Sequence, residues 1–277
     1  MKIEPDAGID ALLPSEMAVR AEAVGVKKAS MNGVSLLTLA VLAGAFISMG
    51  AVFSTTAMAS KEVPWGWNRV LGGVVFSTGL ILVVVGGAEL FTGNTVMVMA
   101  WANRKISTAA LLRNWTIVYV GNLIGALGSA GLVFLAGHHT LDHGAVGDLA
   151  RRIAHAKCHA GFGELLARGV LGNAMVCLAV WLTFSARSPA ARMLLIIPPI
   201  TLFVAAGFEH SVANMYFIPS GYLIQESLAP DFPGVTIAGF GKNLLAVTLG
   251  NCLGGGVLVW AVYGFIYLRP RRGHPAT

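Results

Sequence analysis

Long apolar stretches separated by short polar segments dominate the chain. Six of them occur, at residues 34–54, 70–101, 115–137, 163–186, 193–219 and 243–268. A run of about 18 or more apolar residues can cross a bilayer as a helix, which satisfies its backbone hydrogen-bonding groups internally. The pattern therefore predicts an all-α, polytopic membrane protein with six transmembrane helices.

The second and fifth stretches are longer than one straight membrane crossing. A continuous helix over the second stretch would measure about 48 Å, against about 30 Å for the hydrocarbon core. Each of the two also contains a carboxylate, Glu89 or Glu209, and a carboxylate in the membrane costs about 3 kcal/mol. We therefore predict that helices 2 and 5 are broken, near the Gly86-Gly87 pair and near Gly207.

The two halves of the chain repeat one pattern of small and polar residues. Residues 87–94 and 207–214 share Gly, Glu and Asn at an offset of 120, and residues 114–125 and 243–254 share Asn, Val, Gly, Asn and Gly at an offset of 129. Chance similarity in a Gly- and Ala-rich chain is the alternative, but both matches fall in register with the apolar stretches. Because three helices per repeat is an odd number, we predict two inverted three-helix repeats related by a pseudo-two-fold axis in the membrane plane.

Composition and charge agree with a membrane protein and indicate its orientation. Hydrophobic residues make up 56% of the chain and charged residues 12%, as is typical of integral membrane proteins. With a cytoplasmic N-terminus, twelve Lys and Arg residues lie on the cytoplasmic side and seven on the other. The positive-inside rule thus predicts that both termini are cytoplasmic, in a multi-pass protein of the bacterial inner membrane. The net charge of +6 then reflects topology and contact with the lipid bilayer rather than nucleic acid.

Three segments are predicted. Residues 1–30 form a cytoplasmic N-terminal segment, residues 31–268 the six-helix domain, and residues 269–277 a basic cytoplasmic tail. Residues 11–29 are predicted to form a surface helix with an imperfect apolar stripe and a charged face. The stripe consists of Leu12, Leu13, Met17, Val24 and Val26, and the charged face of Glu16, Arg20, Glu22, Lys27 and Lys28. Docking on the membrane interface is the favoured role of this helix, and capping of a pore or simple solubility stay open.

No group of residues indicates an enzyme, a cofactor site or a metal site. Cys158, Cys177 and Cys252 lack paired spacing, which favours a packing role. His155 and His159 fit one helical face, but no second pair of ligands has a recognised spacing. We therefore interpret their segment as a solvated external loop.

Several strings together resemble the formate/nitrite transporter family. They are GAELFTGN at 87–94, Lys157 with its neighbouring histidines, GNAMVCLAVW at 172–181, GFEHSVANMYFIP at 207–219 and VTLGN at 247–251. The N-terminal segment and the fourth and fifth stretches are most similar to the formate channel branch, whereas residues 236–245 and the Thr92-Gly93 pair resemble the nitrite branch. The resemblance implies an aquaporin-like protomer with one pore, assembled as a homopentamer, that carries small anions such as formate or nitrite.

The resemblance also implies roles for individual residues. His210 matches the central histidine of the pore, Thr92 matches a threonine in a loop over the pore, and Lys157 matches an external lysine that attracts anions. Three further matches hold His210 and the broken helices in place: Glu209, Asn173 and Asn214.

Apolar constrictions are implied on both sides of His210. Leu90 and Phe91 match one constriction, with Phe76 and Leu80 on the same wall, and Phe203 matches the opposing constriction. Without the resemblance, Phe76, Leu80 and Phe203 are equally well explained as ordinary core residues.

The chemistry of such a pore favours an uncharged permeant. Apolar rings reject a hydrated anion, whereas a neutral acid crosses far more easily. Our leading hypothesis is that the anion passes Lys157, meets His210 and takes a proton there, because histidine changes charge nearest physiological pH. The alternative is a neutral His210 that bonds Thr92 and seals the pore.

Formate is the leading substrate, nitrite the alternative, and hydrosulfide a third candidate. A membrane-embedded enzyme would need a reactive constellation that the chain lacks, and the matched Glu89 and Glu209 disfavour a structural protein with a silent pore. A water or glycerol pore would carry paired Asn-Pro-Ala motifs, which the sequence does not contain. Channel and coupled transporter both stay open, as do both directions of net flux.

Overall fold

The computed structural model describes residues 11–60, 62–228 and 234–268, and this part of the chain contains helices and no strands. The α-helices are α1 (Pro14–Ala29), α2 (Gly33–Met58), α3 (Trp65–Gly86), α4 (Met97–Ala102), α5 (Thr108–Leu135), α6 (Ala145–His159), α7 (Phe162–Ser185), α8 (Pro189–Ala205), α9 (Ser211–Leu228), α10 (Ile237–Asn251) and α11 (Val262–Tyr267). A 3₁₀ helix at Gly93–Val96 leads into α4, another at His138–Thr140 precedes α6, and a π-helical segment at Cys252–Ala261 joins α10 to α11. The predicted tail at 269–277 and the first ten residues of the predicted N-terminal segment lie outside the described residues.

Several helices are suited to a membrane. In the described ranges, five are long and apolar enough to cross one: Gly33–Met58, Trp65–Gly86, Thr108–Leu135, Phe162–Ser185 and Ile237–Tyr267. The apolar helix α8 is shorter, at 17 residues. The all-α, polytopic class predicted from the sequence is thus confirmed, while the number of membrane crossings depends on how α4, α8 and α9 are counted.

Both over-long apolar stretches leave the helical conformation at a glycine. Helix α3 ends at Gly86, Gly87 has a φ of 84°, and helical structure resumes at Gly93. Helix α8 ends at Ala205, Gly207 has a φ of 75°, and α9 begins at Ser211. A residue with a β-carbon disfavours this left-handed conformation, so glycine is suited to both positions. Two short non-helical loops, 87–92 and 206–210, result.

The segment around Lys157 is a helix rather than the solvated loop we predicted. Helix α6 buries Val146, Ala150, Ala154 and Cys158, which recur every four residues on one face. On another face, the rings of His155 and His159 stack with centroids 4.1 Å apart. Among the described residues, no group of three or more His, Cys, Asp or Glu side chains could hold a metal ion.

Helix α1 forms where predicted, and Leu12, Met17 and Val24 of its predicted apolar stripe pack on protein. Its buried residues include Met17, Ala18 and Gly25, and a β-carbon added at Gly25 would touch α4. Glu22, which we assigned to the polar face, is buried and bonds Asn103 at 2.6 Å as well as Lys105. Leu13, which we assigned to the apolar stripe, is 65% exposed. Glu22 is therefore buried by contacts with residues distant in sequence, which the apolar and polar pattern of α1 alone does not predict.

Close approach of helix backbones is the same in the two halves of the chain. A β-carbon added at Gly125 would collide with the carbonyl oxygen of Val41, and one added at Gly254 would collide with that of Val170. Both members of the second pair lie 129 residues after those of the first, which is the offset found in the sequence. Small residues at helix contacts allow this approach in membranes.

Candidate functional site

Loops 87–92 and 206–210 meet at a hydrogen bond between Thr92 and His210. The Thr92 Oγ1 and His210 Nε2 atoms are 2.7 Å apart, and both residues are buried. His210 Nδ1 accepts a hydrogen bond from the backbone N–H of Ala213 at 3.0 Å, which caps the start of α9. Because Nδ1 is an acceptor, the ring proton is on Nε2, and Nε2–H donates to Thr92. The hydroxyl proton of Thr92 is then left for another acceptor.

Asn122 of α5 holds the first loop in place. Its Oδ1 accepts the backbone N–H of Phe91 at 2.9 Å, and its Nδ2 donates to the carbonyl oxygens of Ala40 and Glu89 at 2.7 and 3.0 Å. A non-helical backbone in a buried position needs such partners, because an unpaired buried group costs about 1–3 kcal/mol.

Asn251 of α10 holds the second loop in the same way. Its Oδ1 accepts the backbone N–H of Ser211 at 2.8 Å, and its Nδ2 donates to the carbonyl oxygens of Gly169 and Glu209 at 2.8 and 3.0 Å. Each atom in this set has its counterpart in the first loop, 120 or 129 residues earlier. The two repeats recognised in the sequence therefore build equivalent loop supports.

Lys157, Glu209 and Asn214 belong to one buried polar network. Lys157 Nζ lies 2.9 and 2.8 Å from the two carboxylate oxygens of Glu209, and Asn214 donates to the same carboxylate at 2.6 Å. Asn214 also donates to Asn243, which in turn donates to the carbonyl oxygen of Lys157 at 2.9 Å. Lys157, predicted to attract anions, is thus neutralised by a carboxylate that we had not paired with it.

The first half carries an equivalent network that our sequence analysis missed. Lys28 of α1 lies 2.6 Å from Glu89, which also accepts a hydrogen bond from Asn94 at 2.7 Å. Asn94 donates to Asn114, and Asn114 donates to the carbonyl oxygen of Lys28. Lys28 lies 129 residues before Lys157, so the offset of the second repeat match could have identified it.

Asn173 of α7 supports the first loop rather than His210. Its Nδ2 donates to the carbonyl oxygen of Asn251 at 2.8 Å and lies 3.4 Å from that of Thr92. The Cys177 sulfur, one turn further along, is 3.6 Å from the same Thr92 oxygen. Asn173 therefore orients Thr92 and connects it to the support of the other loop.

The apolar side chains group differently from the constrictions we expected. Phe76 contacts Phe203, with ring centroids 6.0 Å apart, and Phe203 lies 6.1 Å from the His210 ring. Phe76 therefore belongs with Phe203, although we had placed it on the wall of Leu90. Phe76 and Leu80 are one helical turn apart, about 6 Å along the axis, which separates them to different sides of the central pair.

Phe91 packs away from the central pair. Its ring makes edge contacts with Trp115 at 5.8 Å and Tyr119 at 5.0 Å between centroids. Leu80 and Leu90 instead line a cavity on the side of α1.

A cavity lies on each side of the Thr92–His210 pair. The α6 cavity, about 210 Å³, is lined by Phe76, Phe203, His210, Lys157, Arg69 and Arg168 among others. The α1 cavity, about 280 Å³, is lined by Leu80, Leu90, Glu89, Lys28, Arg20 and Arg192 among others. The two charged cavities are thus separated by a short apolar region that contains the Thr92–His210 pair.

Two charged cavities separated by an apolar region in an apolar helical fold define a membrane transport protein. The sequence pattern of the family described as "Formate/nitrite transporter" matches residues 15–265. This chain therefore belongs to the formate/nitrite transporter family, a family of channels and transporters rather than enzymes.

Similar proteins support the same assignment. The chain is 41% identical over 285 residues to "Formate channel FocA" of Escherichia coli (strain K12), covering 98% of this chain and 100% of that one. A solved "Pentameric formate channel with formate bound" is 38% identical, with a TM-score of 0.78, covering 86% of this chain and 98% of that one. The aquaglyceroporin from Plasmodium falciparum, at 11% identity and a TM-score of 0.55, covers 84% of this chain and 100% of that one, and shows the shared fold alone.

Proposed function

We propose that this protein is a formate channel. The observation that carries the proposal is the arrangement of two charged cavities around an apolar region and the Thr92–His210 pair. The relatives and the solved structure named above are described as formate channels. Nitrite has support from the family description alone, so we do not favour it as the substrate.

The architecture we propose has six membrane crossings in two inverted repeats. The second crossing combines α3 with the segment from Gly93 to the end of α4, and the fifth combines α8 with α9, so both are broken helices. Equivalent loop supports at offsets of 120 and 129 favour this count. We further propose a homopentamer in the bacterial inner membrane with both termini cytoplasmic, because a similar solved channel is pentameric and Lys and Arg are more numerous on that side.

Formate crosses the apolar region as the neutral acid. A carboxylate between Phe203 and Leu90 would lose its hydration without compensation, which costs several kcal/mol. Lys157 pairs with Glu209 and Arg168 pairs with Glu164, so the net positive charge at the α6 cavity comes from Arg69. The anion concentrates in a charged cavity, takes a proton, and then passes the Thr92–His210 pair without a net charge.

His210 acts in this proposal as a neutral hydrogen-bond donor. Giving away a proton requires the doubly protonated ring, and Nδ1 then loses the bond from the Ala213 N–H. Donation from Nε2 would leave the remaining proton on Nδ1, facing another donor. The hydrogen bonds therefore favour the sealing alternative over a proton shuttle. The formate anion takes its proton from hydronium in the cavity, which leaves water, so the amount of neutral acid rises as pH falls.

Replacement of His210 tests this choice. His210→Asn and His210→Gln remove the titratable ring but keep amide groups that accept and donate. We expect formate flux to fall by about tenfold or less, the equivalent of one hydrogen bond. We also expect flux to keep rising as pH falls, because a lower pH makes more neutral formic acid. Flux measured in proteoliposomes across a pH series checks this, and a flat pH profile in both variants would establish the shuttle instead.

Substrate competition tests the function itself. Purified protein in liposomes should exchange labelled formate well above empty liposomes, and faster than labelled nitrite or hydrosulfide. Sulfate, which stays charged and strongly hydrated, should not pass. Formate exchange no faster than in empty liposomes, or faster exchange of nitrite, would overturn the proposal.

A further inference from the structure

Two arginines line the α1 cavity, and neither has a carboxylate partner in the part of the chain that the structure describes. Arg20 Nη1 donates to the carbonyl oxygen of Phe184 at 3.3 Å, and the buried Arg192 Nε has no hydrogen-bond partner in the described part of the chain. Within the described ranges, neither guanidinium belongs to an ion pair. The other charged groups of the cavity, Lys28 and Glu89, neutralise each other at 2.6 Å. The cavity therefore has an excess of two positive charges.

Among the residues described on its wall, the α6 cavity has no comparable excess of cations that lack a hydrogen-bond or ion-pair partner. Lys157 pairs with Glu209, and Arg168 pairs with Glu164 at 2.5 Å. The Arg69 guanidinium donates to two carbonyl oxygens at the end of α8. All three cations on the wall of that cavity already have partners, so the two cavities differ in what they can bind.

We propose that the α1 cavity binds a short dicarboxylate, with one carboxylate on Arg20 and the other on Arg192. The planar guanidinium matches a carboxylate through two parallel hydrogen bonds. The volume, about 280 Å³, is close to the lower end of small-molecule sites, about 300 Å³. Val84, Val180 and Phe184 are also on the wall and suit the methylene groups between two carboxylates.

The backbone around Arg192 favours a carboxylate over inorganic phosphate. Phosphate sites commonly use the free N–H groups of a helix N-terminus. At the start of α8, Ser188 Oγ already accepts the Ala191 N–H at 3.1 Å, and the Arg192 N–H bonds the Ser188 carbonyl oxygen. The anion is therefore held by side-chain guanidinium groups, for which a carboxylate is well shaped.

A bound dicarboxylate would block the pore. The α1 cavity reaches Leu80 and Leu90, and a dianion cannot enter the apolar region that they begin. In the orientation proposed above, the block acts from the cytoplasmic side. The blocking step rests on the proposed function, whereas the binding step does not depend on what the pore carries.

Calorimetric titration of the purified full-length protein with succinate tests the binding step. We expect saturable binding, weakened by about tenfold in Arg20→Gln and in Arg192→Gln, since each variant loses one charge-assisted pair. Arg192→Lys keeps the charge but loses the pair of parallel hydrogen bonds of a guanidinium. Its affinity for succinate should therefore fall between that of the unchanged protein and that of Arg192→Gln. Lys27→Gln is the matched control, because it removes the same charge from α1. Lys27 is exposed and does not line the cavity. The affinity of this variant for succinate should equal that of the unchanged protein.

Comparison ligands on the unchanged protein keep the test independent of any folding defect in the variants. Butyrate, with the same chain length and one charge, should bind much more weakly than succinate. The proposal is overturned if succinate gives no saturable heat, if butyrate binds equally well, if phosphate binds more tightly, or if both Arg→Gln variants keep full affinity.

Formate exchange in the presence of succinate tests the blocking step. Liposomes with succinate on both sides should exchange formate more slowly with the unchanged protein and with Lys27→Gln. Arg192→Gln should need about tenfold more succinate for the same inhibition. If succinate binds but does not slow exchange, the blocking step is wrong and the binding site still stands. If no formate exchange occurs at all, the proposed function is contradicted.

Discussion

Glu209→Leu should destabilise the folded protein by about 3–5 kcal/mol, the typical cost of leaving one partner of a buried ion pair without its counter-charge. Lys157 and Glu209 keep only 14% and 5% of their side-chain surface exposed. The substitution also removes one of the two acceptors of the Asn214 amide. We expect a large fall in the thermal unfolding midpoint of the detergent-solubilised protein, measured by fluorescence or circular dichroism.

An exposed ion pair in the same protein provides the control. Glu164 and Arg168 keep 47% and 45% of their side-chain surface exposed, so Glu164→Leu should cost less than about 1 kcal/mol. The double substitution of Lys157→Met with Glu209→Leu removes both charges, and it should be more stable than Glu209→Leu alone. Equal effects of Glu209→Leu and Glu164→Leu would contradict the view that the buried pair supports the second loop.

Gly125→Ala should also destabilise the protein, by about 1–3 kcal/mol. The added methyl group would collide with the backbone carbonyl of Val41, so α2 and α5 must move apart. A backbone atom cannot adopt another rotamer, which makes this cost larger than that of a collision with a flexible side chain. The thermal unfolding midpoint, with the oligomeric state followed by size-exclusion chromatography, measures the effect.

Gly128→Ala is the matched control for Gly125→Ala. It makes the same change three residues later on the same helix, where an added β-carbon meets no atom within 4 Å. Alanine has a higher helix propensity than glycine, so this variant should be neutral or more stable by up to about 1 kcal/mol. If both variants lose stability equally, packing outside the protomer determines the effect at both positions, and close approach of α2 and α5 is not the cause.

Local patterns were sufficient where the physical signal is itself local. Apolar length predicted membrane helices, because the thickness of a bilayer sets a minimum length. Glycine followed by a carboxylate located the loops after Gly87 and Gly207, because both features oppose a continuous apolar helix. The offset of 129 placed Asn122 and Asn251 at equivalent positions, and they support equivalent loops.

Other assignments failed because the deciding contacts join distant parts of the chain. Helix α6 is short and has a low overall hydrophobicity, so its buried face became visible only against its neighbours. The sequence pattern predicted that Glu22 faces solvent, yet Asn103 and Lys105 in the loop between α4 and α5 bond its carboxylate. Phe76 and Phe203 come from different helices, and no spacing rule relates them.

The sequence by itself determined the membrane class, the internal repeat, the positions of the two loops and the candidate residues Thr92 and His210. Tertiary structure alone decided that these two residues bond each other and that Lys157 is neutralised by Glu209. It also placed Arg20 and Arg192, which have no ion-pair partner among the described residues, in one cavity. The physical reason is that hydrophobic length, helix breaking and repetition are encoded residue by residue along the chain. Hydrogen bonds, ion pairs and cavities form between side chains that lie far apart in sequence, so they exist only after the helices have packed.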